Sequence, residues 1–256
     1  MNRQREMQAI YVMWLRQMKR FIRAKSRIVG TIVQPLFFLF ILGFGFNIAT
    51  FPGMTGNYLH FLAPGIVAMT ILMSSMFTGV SVLWDRQFGF LQEVLVAPVS
   101  RLSIIIGRTL GGATIALLQG FIILIIALAM GVGVVGIGGL LLAILIMVLL
   151  SFTAVGFGLV IASVIKDFEG FQVIMNLILM PLLFLSSAFF PIVESSPAWL
   201  KAISLVNPLF YMVDGIRGSL TEANALFPPL FDLALIALMC VIIMGLGSYL
   251  FSKSEA

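Results

Sequence analysis

The chain has 256 residues, of which 61% are hydrophobic and only 10% are charged, and its mean hydropathy is +1.15. A soluble domain of this length needs far more charge to cover its surface, so the composition excludes an ordinary soluble fold and indicates an integral membrane protein. The net charge of +5 does not indicate nucleic-acid binding, because the basic residues gather at the ends of apolar segments.

Residues 1–27 predict an amphipathic helix that lies in the membrane interface. Basic residues fall on one side of the helix and apolar residues on the other, a regularity that a solvated tail would not need. We expect the apolar face to contact acyl chains and the basic face to contact anionic headgroups. The residues assigned to this interface helix are Trp14, Arg16, Lys19, Arg20 and Arg23.

Charge-free blocks predict six membrane-spanning helices. Residues 28–84 and 109–165 each form 57-residue blocks without Asp, Glu, Lys or Arg, while 170–193 and 233–252 form blocks of 24 and 20 residues. A span needs about 20 apolar residues, so each long block holds two helices joined by a turn. The expected fold class is an all-α integral membrane protein, with one transmembrane domain over 28–256. Its spans are expected at about 28–49, 60–84, 106–130, 140–165, 170–193 and 230–252.

The distribution of positive charge predicts the orientation. Thirteen of the 15 lysines and arginines lie before the first span, in the loops after the second and fourth spans, or in the tail. Cytoplasmic segments of membrane proteins carry such an excess of positive charge. We therefore expect a multi-pass protein of the plasma (cell or inner) membrane, with its N- and C-termini and the 85–108 loop in the cytoplasm.

A short cytoplasmic helix is predicted over about 86–97. Phe88, Leu91, Val94 and Leu95 recur at helical spacing, and Pro98 ends the helix. Such a helix either docks a soluble partner or lies on lipid, and the pattern alone leaves both alternatives open.

The external segment over about 194–228 is too apolar for a loop and too interrupted by proline and glycine for a span. We expect two short re-entrant or interfacial helices before the last span, joined near Asn207 and Pro208. Asp214 and Arg217, three residues apart, are expected to form a local ion pair at the surface.

Residues for catalysis or metal binding are missing from the sequence. There is no phosphate-binding loop, and the single histidine, His60, has no partner at ligand spacing. The single cysteine, Cys240, excludes an intramolecular disulfide. Gly107 and Gly111 are interpreted as close helix packing. The polar residues inside the spans are neutral and are expected to form interhelical hydrogen bonds: Gln34, Gln119, Gln172 and Asn176.

The chain resembles the ABC-2-type exporter permeases over nearly its whole length, most closely the compact drug and polyketide exporter branch. The resemblance is carried by an ordered set of motifs. They are Glu93-Val-Leu-Val-Ala-Pro98-Val-Ser-Arg101 with the following Ile-Ile-Ile-Gly107, Ser187-Ala-Phe-Phe-Pro191, Pro197-Ala-Trp199, and Asn207-Pro208-Leu-Phe-Tyr211-Met-Val-Asp214-Gly-Ile-Arg217.

The resemblance implies the membrane subunit of an ATP-driven exporter. Such a subunit pairs with a second copy of itself, or with a paralogue, and docks two copies of a separate cassette ATPase. ATP and Mg²⁺ bind to that ATPase, so no cofactor, catalytic residue or metal is expected in this chain. The implied cargo is an amphipathic, drug-like or lipid-linked molecule, and the expected partners include membrane lipid but no nucleic acid.

The resemblance also assigns roles to particular residues. The helix over about 86–97 is implied to be the coupling helix that receives force from the ATPase, and the external helices are implied to shape the exit. The implied coupling residues are Arg86, Phe88, Leu91, Glu93, Leu95, Pro98 and Arg101. The implied exit residues are Pro191, Trp199, Asn207, Pro208, Tyr211, Asp214 and Arg217.

Two other functions remain open on the residues alone. One is a passive channel or a secondary carrier, and the other is a membrane assembly factor that transports nothing.

Overall fold

The computed structural model describes residues 3–46, 56–90, 99–165, 167–193, 196–221 and 224–254, and every regular element within these ranges is an α-helix. The predicted all-α class is therefore confirmed for this part of the chain. In chain order the helices are α1 (Arg3–Arg23), α2 (Lys25–Gly45), α3 (Tyr58–Gln87), α4 (Arg101–Ala129), α5 (Ile137–Val164), α6 (Phe168–Phe184), α7 (Ala198–Val206), α8 (Pro208–Thr221) and α9 (Pro229–Ser254).

Five of these helices are long and apolar enough to cross a bilayer. They are α2, α3, α4 and α5 over their full lengths and α9 over Pro229–Leu250, and each overlaps one of the predicted spans. The chain is therefore a multi-pass membrane protein. Helix α6 is also apolar but has 17 residues, fewer than the roughly 20 that a perpendicular span requires.

The span predicted over 170–193 is helical only as far as Phe184. Beyond this point the chain turns, and Ser187 has a left-handed backbone with φ of 58°. The Ser187 carbonyl accepts a hydrogen bond from the Arg217 side chain of α8, at 2.7 Å. The hydrogen bond that the Ser187 carbonyl would accept within a continued helix is therefore supplied by an arginine far along the chain. The local pattern of apolar residues does not reveal this partner.

Helix α3 lies at the centre of the bundle. In the most apolar 18-residue stretch of α3, 89% of the residues are buried, against 17% in the corresponding stretches of α2 and α9. Helix α3 packs against α2, α4, α5 and α8. A Cβ added at Gly79 would lie 2.6 Å from the carbonyl oxygen of Gly158, so α3 and α5 approach each other through their glycines.

Polar residues and glycine mark the helix ends. Asn57 and Ser100 cap α3 and α4 by accepting hydrogen bonds from the backbone N–H groups of Leu59 and Ser103. Gly131, with φ of +94°, begins the turn that connects α4 to α5. The C-terminus of α3 and the N-terminus of α4 lie together with α1, at what we call the α1 end. The opposite end contains α8 and is called the α8 end.

Candidate functional site

A buried carboxylate at the α1 end is surrounded by three arginines. Asp85, in the last turn of α3, is 3% exposed. Its Oδ1 lies 2.6 Å from Nη2 of Arg16 and 3.6 Å from Nη1 of Arg20. Its Oδ2 lies 2.9 Å from Nη1 of Arg16 and 2.7 Å from Nη2 of Arg108, a fully buried residue of α4. This network, called the Asp85 cluster below, joins α1 to α3 through charge-assisted hydrogen bonds from Arg16, and joins α4 through the ion pair with Arg108.

A second polar contact fixes the beginning of α1. The Glu6 carboxylate accepts hydrogen bonds from the backbone N–H of Ser100 at 3.1 Å, from the Ser100 hydroxyl at 2.7 Å and from the Ser103 hydroxyl at 2.5 Å. These hydrogen bonds, that from Ser103 foremost, hold the pKa of Glu6 below its usual value. Because Ser100 is the N-cap of α4, α1 is attached to the start of α4.

Helix α1 also packs closely against α4 along a pair of glycines. A Cβ added at Gly107 would lie 2.7 Å from Cβ of Met13, and one added at Gly111 would lie 2.7 Å from Cβ of Gln17. The predicted close packing at Gly107 and Gly111 is thus confirmed, and the partner is α1. The Gln17 side-chain amide reaches further, donating to the Ser81 hydroxyl of α3 at 3.3 Å.

The apolar face of α1 differs from the prediction in its environment. Met13 and Phe21 are buried against the rest of the protein, whereas the sequence suggested contact with acyl chains. The Trp14 indole donates a hydrogen bond to the Thr114 hydroxyl of α4 at 3.2 Å. An amphipathic pattern cannot distinguish lipid from an apolar protein surface, because acyl chains are as apolar as leucine.

Some basic residues of α1 bind other parts of the protein, and others are exposed. Arg16 and Arg20 bind Asp85 and are not directed at headgroups as predicted, although Arg16 also lies over the Phe90 ring at 3.6 Å. Lys19 and Arg23 are exposed, as a role in headgroup contact would require.

The residues implied to couple the permease to an ATPase fall mostly on a segment that is not described. Leu91, Glu93, Leu95 and Pro98 lie outside the described residues, so the helix predicted over 86–97 stays a prediction beyond Phe90. Arg86 belongs to α3, with Nη1 3.5 Å from the Ala162 carbonyl of α5. Phe88 follows the end of α3 and is 83% exposed, and Arg101 begins α4 at an exposed position.

At the α8 end, a buried arginine connects three parts of the bundle. Arg217 of α8 is 1% exposed. Its Nη2 and Nη1 donate to the carbonyl and hydroxyl of Ser187 at 2.7 and 3.1 Å, and its Nε donates to the Phe61 carbonyl of α3 at 3.3 Å. The guanidinium carbon also lies 3.9 Å from the centre of the Phe61 ring. Arg217 thus holds α8, α3 and the turn after α6 together.

Asp214 anchors the chain that leads into α9. It is fully buried and accepts hydrogen bonds from the backbone N–H groups of Leu226 and Phe227, both at 2.9 Å. Its Oδ1 lies 3.9 Å from Nη1 of Arg217. The predicted pairing at i,i+3 is therefore present, but the predicted surface location is wrong. The bundle buries both side chains, and each makes its shorter contacts with other groups.

The other residues implied to shape the exit have different environments. The Asn207 side chain donates to the Leu182 carbonyl of α6 at 2.8 Å and accepts from the Leu209 N–H at 2.9 Å, so it bridges α6 and α8. The Tyr211 hydroxyl donates to the Leu205 carbonyl at 2.7 Å. Trp199 is 63% exposed. Pro208 begins α8, as the predicted break between two short helices requires, and Pro191 is partly buried in the chain before α7.

A cavity of about 440 Å³ opens between α2, α3 and α6. It is bordered by Arg27 where α2 begins and extends along the helices toward Pro35 and Leu179. Both polar and apolar groups line it. The polar lining residues are Arg27, Thr31, Gln34, Thr70, Ser74, Gln172 and Asn176. The apolar lining includes Met73, Met76, Met175, Met180, Phe77 and Phe171.

The neutral polar residues of the spans have two different environments. Gln119 fulfils the prediction of an interhelical hydrogen bond, since its Nε2 donates to the Thr31 hydroxyl of α2 at 2.9 Å. Gln34, Gln172 and Asn176 instead are exposed and line the cavity. Exposed amides within apolar helices indicate a surface that faces something other than hydrocarbon.

The ionic clusters bind other parts of the protein. Asp85 is occupied by arginines and Asp214 by backbone N–H groups. Within the described ranges, no group of three or more His, Cys, Asp or Glu side chains is arranged to hold a metal ion. The arrangement can hold the helices together.

Sequence reasoning missed the roles of Glu6, Asp85 and Arg108. The available signal was position, because Asp85 and Arg108 border the two long charge-free blocks and so lie next to each other when α3 and α4 run antiparallel. Sequence reasoning also assigned no role to Asp232, in the first turn of α9. Asp232 lies within Pro229–Leu250 and is fully buried, and neither of its carboxylate oxygens has a hydrogen-bond partner among the described residues.

Comparison with known proteins gives consistent matches over most of the chain. The family model described as ABC-2 type transporter matches residues 8–221. The chain is 30% identical over 246 residues to the "Putative transport permease ycf38" of Cyanophora paradoxa, covering 91% of this chain and 84% of that protein. It is 28% identical over 217 residues to the "Inner membrane transport permease YadH" of Escherichia coli (strain K12), covering 82% and 81%. It is 31% identical over 162 residues to the "Probable multidrug ABC transporter permease YbhR" of the same strain, covering 62% and 43%.

Proposed function

Because the chain belongs to the ABC-2 type transporter family, we propose that it is the membrane-spanning subunit of an ATP-driven exporter. Two copies of a separate cassette ATPase bind ATP and Mg²⁺ and supply the energy, and this chain provides the passage. Its cargo is an amphipathic, drug-like or lipid-linked molecule taken from the cytoplasm or the inner leaflet. The excess of basic residues supports a cytoplasmic location for the α1 end and both termini, in the plasma membrane.

The observation that carries this proposal is that α1 holds both ends of the segment implied to receive the ATPase. Asp85, just before the segment, binds Arg16 of α1, and Ser100, just after it, binds Glu6 of α1. A force applied to the segment reaches α3 and α4 because they adjoin it in the chain. It also reaches α1, because α1 is bonded to both ends. Such a connection is what a coupling element requires and what a passive pore does not need.

The passage is proposed to lie along the cavity between α2, α3 and α6. Gln34 lies halfway along α2, and Asn176 halfway along α6, and both are exposed beside this cavity. Unpaired amides in hydrocarbon cost free energy. A second copy of the chain that covers the cavity would shield these amides from hydrocarbon and so remove this cost. Their exposure therefore supports a homodimer, with the passage between the two copies. Helices α7 and α8 are proposed to re-enter the outer leaflet and shape the exit.

The test begins with co-expression of this chain and its proposed partner, a cassette ATPase. We expect the ATPase to co-purify with the permease in a complex containing two copies of each. In inside-out proteoliposomes, this complex should accumulate a fluorescent amphipathic molecule when ATP is added. The Glu93→Arg variant should insert normally but lose ATP-driven uptake, because it reverses the charge of a proposed coupling residue. Glu169→Arg, at an exposed position of α6, provides the matched charge reversal and should retain uptake.

Two results would overturn the proposal, and a third would correct the set of coupling residues. Uptake by the permease alone, independent of ATP, would indicate a passive channel or secondary carrier. Loss of a partner complex in a deletion strain, with every transport assay unchanged, would indicate an assembly factor. Full ATP-driven uptake by Glu93→Arg would remove this residue from the coupling site.

A further inference from the structure

The cavity between α2, α3 and α6 has an uncompensated positive charge. Among the described residues that line it, Arg27 is the only charged one. No carboxylate of the described ranges lies within ion-pair distance of the Arg27 guanidinium, whereas Arg16, Arg20 and Arg108 share Asp85. The cavity is therefore positive at the end where α2 begins.

The Arg27 side chain is held in place but retains an unused donor. Its guanidinium carbon lies 4.3 Å from the centre of the Phe77 ring of α3, a cation–π contact that orients the planar group. Its Nε is buried and donates no hydrogen bond within the described part of the chain. A buried donor without an acceptor costs free energy that an incoming acceptor recovers.

The remaining lining suits the body of an amphipathic molecule. Beyond Arg27 the wall presents the Thr31 hydroxyl and the Gln34 amide, and then methionine and phenylalanine side chains. Methionine is flexible and adapts to ligands of different shape. A cavity volume of about 440 Å³ lies within the range of small-molecule sites.

We propose that this cavity selects acidic amphipathic molecules, with a carboxylate or phosphate group bound by Arg27 and the apolar body lying along α3 and α6. The guanidinium group forms two parallel hydrogen bonds with either anion. The inference rests on the proposed function in that the same cavity is the proposed passage, and it adds the charge of the cargo. The acidic group comes either from an exported molecule or from an anionic phospholipid of the membrane, since both present the same chemistry.

The experiment measures binding and does not depend on transport. The purified permease in detergent is titrated with a fluorescent fatty acid and with the methyl ester of the same molecule. We expect the acid to bind about tenfold or more tightly than the ester, as the loss of a charge-assisted hydrogen bond predicts. Arg27→Gln should abolish this difference, and Arg27→Lys should retain part of it, because the charge remains but the planar donor pair is lost.

Two further variants make the test specific. Lys25→Gln removes the same charge two residues away, at an exposed position outside the cavity lining, and should keep the preference for the acid. Arg27→Glu should reverse the preference, so that a fluorescent alkylamine binds more tightly than the fatty acid. Melting temperatures and gel filtration identify any variant that fails to fold, and the wild-type comparison of acid with ester does not depend on any variant.

Equal binding of acid and ester to the wild-type permease would overturn the inference, as would an equal effect of Lys25→Gln and Arg27→Gln. Nanodiscs of phosphatidylcholine, with and without phosphatidylglycerol, identify the source of the acidic group. Competition by phosphatidylglycerol supports a membrane phospholipid as the occupant, and its absence supports an exported acid. Arg27-dependent binding without ATP-driven export would refute the proposed function and leave the acidic site intact, so the two failures are distinguishable.

Discussion

Asp85 of α3 and Arg108 of α4 lie 2.7 Å apart, from Oδ2 to Nη2, and both side chains are almost completely buried. The pair closes the α1 end of the bundle, and Arg16 and Arg20 of α1 complete it. A carboxylate that serves three arginines on two helices cannot be removed without leaving positive charges buried near one another. Among the described residues, Asp85 is therefore the counter-charge on which the buried Arg108 depends.

The first prediction concerns this carboxylate. Asp85→Asn should destabilise the protein by about 3 kcal/mol or more, because it leaves the buried Arg108 charge without its counter-charge. It should also release α1, making the N-terminal helix sensitive to protease. The measurements are the melting temperature in detergent and the rate of cleavage in α1. Glu169→Gln, the same chemical change at an exposed position, should alter neither. An Asp85→Asn protein as stable as wild type would contradict the role assigned to the Asp85 cluster.

The second prediction has the opposite sign. Asp232 of α9 is fully buried, and neither carboxylate oxygen has a hydrogen-bond partner among the described residues. Asp232→Asn removes the possibility of a buried, unpaired negative charge while keeping the shape, so it should stabilise the protein by about 1 kcal/mol. The melting temperature at pH 7 measures this effect. A decrease in melting temperature would show that Asp232 has a partner that only a carboxylate can bind.

The third prediction tests the contact between α1 and α4. Gly107→Leu should push α1 away, because the first added carbon already lies 2.7 Å from Met13 and 2.8 Å from the backbone carbonyl of Ile10. Overpacking of this kind costs about 1–3 kcal/mol. The rate of protease cleavage in α1 should report the displacement. Gly245→Leu, on α9, meets no atom within 4 Å and is the matched control. Identical behaviour of the two variants would show that α1 does not need this contact.

The fourth prediction concerns Arg217. Arg217→Lys keeps the charge but cannot reach Ser187 and the Phe61 carbonyl with the same planar set of donors. We expect it to lower stability by about 1–3 kcal/mol, the cost of a buried acceptor left without a donor. Arg23→Lys, at an exposed position of α1, should have no effect on the melting temperature. If Arg217→Lys has the same melting temperature as wild type, then the positive charge alone is enough to stabilise the α8 end.

The fifth prediction is a dependence on pH. The pKa of Glu6 is lowered in the folded protein, mainly by the hydroxyl of Ser103 and then by that of Ser100. A lowered folded pKa means that the contribution of Glu6 to stability is complete above its usual pKa and is lost as the pH falls through the folded value. Glu6→Gln should therefore lower the melting temperature at pH 7, and this difference from wild type should shrink as the pH falls through the folded pKa of Glu6. A difference that stays constant over the whole acid range in which the protein remains folded would show that the carboxylate charge is not what α4 recognises.

The sequence predicted the five long apolar helices well and the partners of the polar residues poorly, for one physical reason. A run of apolar residues determines that a helix can enter the bilayer, and that information is local. Whether Met13 then contacts acyl chains or α4 depends on helix packing, and both surroundings are equally apolar. The same limit applies to Arg217, which depends on the turn at Ser187, 30 residues earlier in the chain.

The Asp85–Arg108 pair was closer to being predictable. Once α3 and α4 are taken as consecutive antiparallel spans, the charges at their facing ends must lie near each other. The environment of Gln34 and Asn176 was not predictable, because an amide in a span can hydrogen-bond to a neighbouring helix as readily as it can line a cavity. The positions of α2 and α6 around the cavity decide between the two.

The contacts of α1 also have a consequence for the order of folding during synthesis. Helix α1 is synthesised first, but Asp85 follows Arg16 by 69 residues and Ser100 follows Glu6 by 94. Until the ribosome has produced α3 and the start of α4, the side chains of α1 have none of these partners. An amphipathic helix can wait at the membrane surface during this interval, with its apolar face in the lipid. The amphipathic pattern of α1 suits both stages, because lipid and the surface of α4 are equally apolar surroundings.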